Sequence, residues 1–413
     1  MAATLVALGR EMRAELRERI LPWWAEHALD RERGGFHGLI GPDAAPAPDA
    51  PRGVVLNSRI LWTFSAAHRT LREPWLRVVA DRAAEVVTGK FLDLEHGGVY
   101  WTVDPSGRPV DPRKHVYAQA FALYGLSEHH RATGCEASRR AGQTLFGLIE
   151  AHAWEPTHGG YREAFDRGWT PLADVRLGDS DLNAPRSHNT LLHLLEAYAN
   201  LYRVWPDPVL QARLRHLIGL FPDRIVDRSS GHARPFFEAD WTVLSTDVSY
   251  GHDIETAWLL GDAARLLDDP TLAARVAEVA VLLADTTLRE GVDPRGGLFY
   301  RADATGAVDR EKEWWPQAEA VVGFLDAFER TARPEFLDAA WRTWSFIRDH
   351  LRDHEYGEWH RRVDRDGTPQ PRHEKAGPWK GPYHNGRACL EVMRRTLEPG
   401  GYAADPRGDG ELP

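Results

Sequence analysis

A Gly-Gly-aromatic signature recurs along the whole chain, and it restricts the fold more than any other feature. It reads Arg33-Gly-Gly-Phe-His37, His96-Gly-Gly-Val-Tyr-Trp101, His158-Gly-Gly-Tyr161 and Arg295-Gly-Gly-Leu-Phe-Tyr300, with weaker copies at Gly231-His-Ala-Arg-Pro-Phe-Phe237 and Tyr356-Gly-Glu-Trp-His360. Taking Gly34, Gly97, Gly159, Gly231, Gly296 and Gly357 as markers, the intervals are 63, 62, 72, 65 and 61 residues. Near-regular spacing over a 413-residue chain means six copies of one structural unit. A unit of that length has room for two helices and a loop.

The text between markers agrees. Amphipathic patterns at about 3–24, 75–91, 137–152, 208–222, 270–288 and 335–351 precede the markers. A second, more apolar set follows them at about 57–71, 115–131, 187–204, 250–267, 313–330 and 381–396. Turn sequences such as Asp104-Pro-Ser-Gly107 and Asp364-Arg-Asp-Gly367 predict short β-hairpins in the connecting loops. The Pro/Ala-rich run from Pro42 to Pro51 predicts a rim loop.

Six helical hairpins form either an open solenoid or a closed toroid. The apolar helices decide, because each carries a polar or aromatic group near its start. Arg59, Tyr117, Asn189, His252, Trp315 and His384 follow one another at 58, 72, 63, 63 and 69 residues. A closed ring gathers these groups in one pocket. The expected fold is therefore all-α, an (α/α)6 barrel with short β-hairpins in its loops. It forms a single domain over 1–413, with an ordered core at about 3–397 and a tail at 398–413.

Composition narrows the function. The net charge is −10 and no basic stripe is present, which excludes nucleic acid as a partner. No run approaches the ~18 apolar residues of a membrane span. The start of the chain lacks the pattern of a signal peptide. Two cysteines, Cys135 and Cys389, favour a cytoplasmic setting over a disulfide framework. The 16 tryptophans suit either a core or a cleft that stacks on sugar rings.

The candidate site residues lie on the apolar helices. In Ser249-Tyr-Gly-His-Asp-Ile-Glu-Thr-Ala-Trp-Leu-Leu260, His252, Glu255 and Trp258 share one face, so Glu255 is expected to orient His252 as a base. Asn189, His193 and Glu196 share a face of their helix. Trp315 and Glu319 stand one turn apart, with Pro316 tolerated in the first turn. The run Trp379-Lys-Gly-Pro-Tyr-His384-Asn-Gly-Arg387 combines a stacking ring, cations, a phenol and a base. Arg59 is a charge inside an apolar helix start and calls for an anionic partner. Each of these also has a structural reading as a buried hydrogen-bonded group. The set as a whole suits proton transfer at a carbon beside a carbonyl, with His252 and His384 on opposite faces. No metal-ligand spacing and no nucleotide-binding glycine loop are present.

These residues resemble the N-acylglucosamine 2-epimerase superfamily, and within it the cellobiose 2-epimerases. The segments that carry the likeness are Leu56-Asn-Ser-Arg-Ile-Leu-Trp-Thr-Phe-Ser65, Lys114-His-Val-Tyr-Ala-Gln-Ala-Phe121, His193-Leu-Leu-Glu-Ala-Tyr198, Gly251-His-Asp-Ile-Glu255, Trp314-Trp-Pro-Gln-Ala-Glu319 and Trp379-Lys-Gly-Pro-Tyr-His384. The resemblance spans about residues 10–396 and implies cofactor-free epimerisation at C2 of a reducing-end sugar, through a cis-enediolate. It implies that His252 and His384 form the acid/base pair, that His193 assists and that Trp315 and Trp379 bind sugar. Arg59, Tyr117, Asn189 and Glu255 complete the implied pocket, with Trp258 and Glu319 as further expected substrate contacts. Two positions depart from the pattern. Leu191 stands where a His-x-His pair with His193 is expected, and the segment Gly178–Arg186 is looser. They keep open a D-mannose 2-epimerase or mannose isomerase. An N-acetylglucosamine 2-epimerase, an inverting glycoside hydrolase and a non-catalytic sugar-binding toroid are further alternatives. Monomer and homodimer are both compatible with the sequence.

Overall fold

The computed structural model describes residues 2–179, 181–370 and 372–397; the expected tail at 398–413 lies outside them. Thirteen helices are described, in two concentric sets. The inner set is α3 (Val54–Leu71), α5 (Val116–Thr133), α7 (His188–Val204), α9 (Tyr250–Ala264), α11 (Trp314–Thr331) and α13 (Tyr383–Leu397). The outer set is α1 (Ala2–Glu15, continued by α2 at Leu21–His27), α4 (Pro74–Val86), α6 (Glu136–His152), α8 (Pro208–Leu220), α10 (Pro270–Thr286) and α12 (Pro334–Phe346). Each inner helix packs on the next, and α13 packs back on α3, so the ring closes as an (α/α)6 barrel. Among the described residues no helix is long and apolar enough to cross a membrane.

The two sets bury themselves differently, and the sequence shows why. Inner α3 is buried at every residue from Val54 to Ala67, as a helix surrounded by others requires. Outer α4 buries one stripe, Leu76, Val79, Ala80, Ala83 and Ala84, and leaves Val78 and Arg77 to solvent. Inner-to-outer turns are tight. They close with a left-handed residue after the inner helix (Arg72, Gly134, Ala332) and, in four repeats, restart with proline at the head of the outer helix.

Outer-to-inner connections are long, and all six lie at the end where the inner helices begin. The marker glycines sit here. Gly34, Gly97, Gly159, Gly231, Gly296 and Gly357 have φ between +67° and +94°, a conformation that side chains disfavour. The second glycine of a pair shares the positive φ and is also crowded: a Cβ on Gly98 would lie 2.7 Å from the Trp169 ring. Strands are present as expected, but most join one loop to the next. The strand entering an inner helix pairs with a strand of the following loop, as in Arg52–Gly53 with Thr102–Val103 and Lys114–His115 with Ala164–Phe165. A bridge between Ile40 and Ala376 joins the last loop to the first, so the loops form a ring of their own.

A buried ion pair fastens each loop. Three or four residues before the marker glycine, an acid accepts backbone N–H groups of the turn and a cation that enters the inner helix. The pairs are Asp30–Arg52, Asp93–Lys114 at 3.0 Å, Glu155–Arg186 at 2.8 Å, Asp293–Lys312 at 2.9 Å and Asp353–Lys375. The fourth repeat differs: Asp227 pairs with Arg234, and His232 bonds Asp253 at 2.7 Å. In four of the loops the cation (Arg52, Lys114, Arg186 or Lys312) stands just before its inner helix, so the staple fixes the helix start.

Candidate active site

The first turns of the inner helices converge on one polar cluster. Their positive dipole ends face it, which favours anions and disfavours added protons. Arg59 of α3 is buried, its guanidinium held between the rings of Phe121 and Tyr383 at 4.5 and 5.2 Å. It donates to Tyr117 Oη at 2.9 Å and to the carbonyl of Trp379 at 2.6 Å, while its Nε is buried without a partner. Burial lifts the Tyr117 phenol to about 12, with Arg59 opposing, so Tyr117 keeps its proton and remains a donor.

On α7, His193 Nδ1 lies 3.1 Å from Glu196, and Tyr117 stands edge-on to the imidazole at 5.1 Å. Asn189 is half-buried at the helix start and its Oδ1 has no partner. On α9, the Ser249 hydroxyl caps the helix by accepting the His252 amide. The His252 ring rests on the Trp315 indole at 4.7 Å, and the His384 ring lies 5.6 Å from the same indole. His384 Nδ1 sits 2.7 Å from Glu319. Trp379 packs 5.9 Å from Tyr117 and stays half-exposed.

Below this layer, Arg387 organises the acids. Its guanidinium reaches Glu196, Glu255 and Glu319 as well as the Tyr383 hydroxyl. Glu196 is held at about 2: burial would raise it, but Arg387 and His193 override burial. Glu255 and Glu319 are both pushed upward, by burial first, and Glu255 further by its neighbour's charge. Glu255, Glu319 and His384 place one ligand atom each within 4.8 Å, the only such cluster among the described residues. A guanidinium already lies on both carboxylates, so the positive charge is supplied by Arg387 and the trio fits a metal ion poorly.

The structure corrects two expectations about His252 and shows where two further residues lie. Glu255 is not the partner of His252; its bonded oxygen accepts from Arg387 and lies 4.0 Å from His384. The expectation that an acid keeps His252 basic near neutrality also falls. Burial, then the neighbouring His188 and His193, hold His252 well below the ordinary 6.5; burial, then Arg59 and Arg387, do the same to His384. Trp258 and Glu319, expected to touch substrate, are buried beneath the cluster. The Trp258 indole donates to Glu319 at 3.0 Å, and Glu319 takes Arg387 and His384 as well. They hold other residues in place. The reason is depth: one helical turn carries the chain from the mouth into the closed interior.

Arg59, Tyr117, His193 and Trp379 touch one another in turn, and His252, Trp315 and His384 form a second contact chain, while Asn189 stands at the start of α7. Arg387 was visible only as the end of the Trp379–Arg387 run; its role as hub follows from helix packing. His188 was missed altogether. It directly follows the Ser187 cap, is buried, and stands 5.7 Å from the His252 ring. Leu191, where a histidine was expected, is packed in the core.

Comparison with known proteins agrees with this fold. The profile of the N-acylglucosamine 2-epimerase (GlcNAc 2-epimerase) family matches residues 34–388. A cellobiose 2-epimerase of Bacteroides fragilis is 44% identical over 387 residues, covering 94% of this chain and 98% of the relative. One from Dictyoglomus turgidum is 39% identical, covering 95% and 99%. The crystal structure of a sugar epimerase from a ruminal bacterium superposes with a TM-score of 0.91 at 36% identity, covering 95% of this chain and all of that one. The chain belongs to the N-acylglucosamine 2-epimerase family.

Proposed function

We propose that this protein is a sugar 2-epimerase that inverts C2 of the reducing-end aldose in β-1,4-linked disaccharides, converting cellobiose to glucosyl-mannose and acting likewise on lactose. The observation that carries the mechanism is the pair of imidazoles on one indole, half-buried His252 and buried His384 against Trp315. The relatives named as cellobiose 2-epimerases support the choice of a disaccharide.

The chemistry follows from the site. The sugar ring opens, with a histidine moving the hemiacetal proton. The open chain then presents C2–H beside the C1 carbonyl. One imidazole, neutral because of its burial, takes the C2 proton through a ring nitrogen. The C–H electron pair becomes the C1–C2 double bond, and the carbonyl pair moves onto O1. Arg59, whose Nε is unpartnered, and the protonated Tyr117 stabilise that enediolate, aided by the helix starts around them. The second imidazole, protonated, returns a proton to the opposite face of C2. In the reverse direction the two exchange roles. For His384, a proton on Nδ1 shared with Glu319 leaves Nε2 for this chemistry.

An inverting glycosidase needs two carboxyl groups about 6.5–9.5 Å apart. Glu255 and Glu319 contribute atoms within 4.8 Å of each other and share Arg387, which disfavours that alternative. We also read the protein as cytoplasmic, consistent with its free Cys135 and Cys389.

The test is incubation with cellobiose in D₂O, followed by chromatography and NMR. The expected product is an epimeric disaccharide deuterated at C2, with no glucose released. Release of glucose, or the absence of C2 exchange, would sink the reading. A panel with lactose, mannose and N-acetylglucosamine ranks the substrates. His252→Ala and His384→Ala should each lose at least ~10²-fold in kcat.

A further inference from the structure

His252 differs from the other two histidines of the cluster. His193 has Glu196 and His384 has Glu319 as hydrogen-bonding acids. Among the described residues no side chain hydrogen-bonds the His252 ring, so something else must fix its plane. Two rings touch it: Trp315 at 4.7 Å, tilted by 44°, and His188 at 5.7 Å, tilted by 66°. His188 is itself anchored. Its Nε2 lies 2.8 Å from the Thr256 hydroxyl, and Thr256 follows His252 by one turn on α9. Its backbone amide is bonded to Pro235, and its ring packs on Phe221 at 5.8 Å. The anchor therefore ties the wall to the same helix that carries the base.

We propose that His188 is a positioning residue for the epimerisation read above: with Trp315 it forms an aromatic slot that sets the plane of the half-buried His252 imidazole and limits the water reaching it. A carboxylate in that place would also orient the ring, but would favour its protonated form. A neutral imidazole orients without adding negative charge. Burial holds His188 at about 3, so it stays neutral across the working range. The charged and titratable groups around His252 are His188 and His193 from α7, Glu319 from α11, Glu313 against the Trp315 indole, and His384 across that indole from α13. Glu255 lies one turn further along the same helix and faces Arg387. Only Glu319 among the groups acting on His252 raises its proton affinity, so loss of the His188 wall lets water in and moves the ring toward the ordinary value.

The experiment compares wild type, His188→Ala, His188→Phe and Thr256→Val on cellobiose, with kcat and KM measured across pH and C2 exchange followed in D₂O. His188→Ala is expected to lose tenfold or more in kcat with KM within about twofold, and to shift the acid limb of kcat/KM upward. His188→Phe restores the wall and should recover most of kcat and the original limb. Thr256→Val should fall between. An acid limb that stays put in His188→Ala, or a kcat loss that His188→Phe does not repair, overturns the proposal. The wild-type D₂O arm reports separately on the epimerase reading, because its failure would remove the reaction and not the role of His188.

Discussion

The two ends of the inner ring are built from the same helices and treat charge in opposite ways. At the far end, every inner helix finishes with arginine: Arg69, Arg131, Arg203, Arg265, Arg330 and Arg395. These share acids between them. Glu128 takes Arg69 at 2.9 Å and Arg131 at 2.8 Å, Asp262 takes Arg203 at 2.7 Å, and Asp326 takes Arg395 at 3.1 Å. Glu128 is held at about 2, because its two arginines outweigh its burial. Cations at helix C-termini also answer the dipole. That end is an ion-paired plug. At the mouth, three buried acids share Arg387, and burial lowers the proton affinity of three histidines. There the shifts favour uncharged forms, with Glu255 and Glu319 raised and His252 and His384 lowered, a mark of a working site. The difference teaches that the fold places catalysis at the end where burial favours uncharged forms.

Replacing the cation at each end separates the two roles. Arg387→Met leaves Glu196, Glu255 and Glu319 without their shared cation. It should cost about 3–5 kcal/mol in stability and abolish measurable turnover, read by denaturant unfolding and by product chromatography. Arg395→Met, at the other end, should cost a comparable amount while kcat of the folded fraction stays unchanged. A kcat loss in Arg395→Met would break the comparison.

The mouth should also betray itself in pH. His252 and His384 are both held below the ordinary histidine value of 6.5, so their base forms persist in mild acid. The acid limb of kcat/KM should therefore lie below pH 6.5, and a limb at or above it contradicts the burial argument. Stability carries a signature at the same end. Glu163, bonded to the Ser187 amide and the Thr190 hydroxyl, is raised from 4.5 to about 7 by burial. A carboxyl raised on folding stabilises fully below its unfolded value and loses that contribution as pH climbs toward 7. Glu163→Gln should remove that slope, up to about 3 kcal/mol between pH 4.5 and 7, measured by urea unfolding at each pH. The smallest effect is expected at the plugged end. Asp207 caps α8 by accepting the amides of Val209 and Leu210, and Asp207→Ala should cost ~1 kcal/mol with no change in turnover.

Much of this was legible in the chain. The marker glycines announced six loops because left-handed turns at six places need glycine. The helix-start register gathered Arg59, Tyr117, Asn189, His252, Trp315 and His384, since equivalent positions in a closed repeat face one axis. Other signals were present and unread. An acid shortly before each marker and a cation near each inner-helix start encode the loop staples, and the arginines at six helix ends encode the plug. They were overlooked because each looks like an ordinary surface charge until its partner, about 20 residues away, is known to be beside it. His188 gave no periodic signal, since its importance comes from Thr256 and His252 on a neighbouring helix.

The sequence by itself determined the repeat, the closed all-α barrel and the residues that line its mouth, because periodicity and backbone conformation are local properties. Only the tertiary structure decided who pairs with whom. Glu255 and His252 are neighbours on one helix, and helical spacing predicts that they interact. Packing turned Glu255 inward to an arginine 132 residues away and left His252 to be held between rings from two other helices. Pairing energies in a buried site depend on charge, depth and approach between helices, and none of these is written in the spacing along one of them.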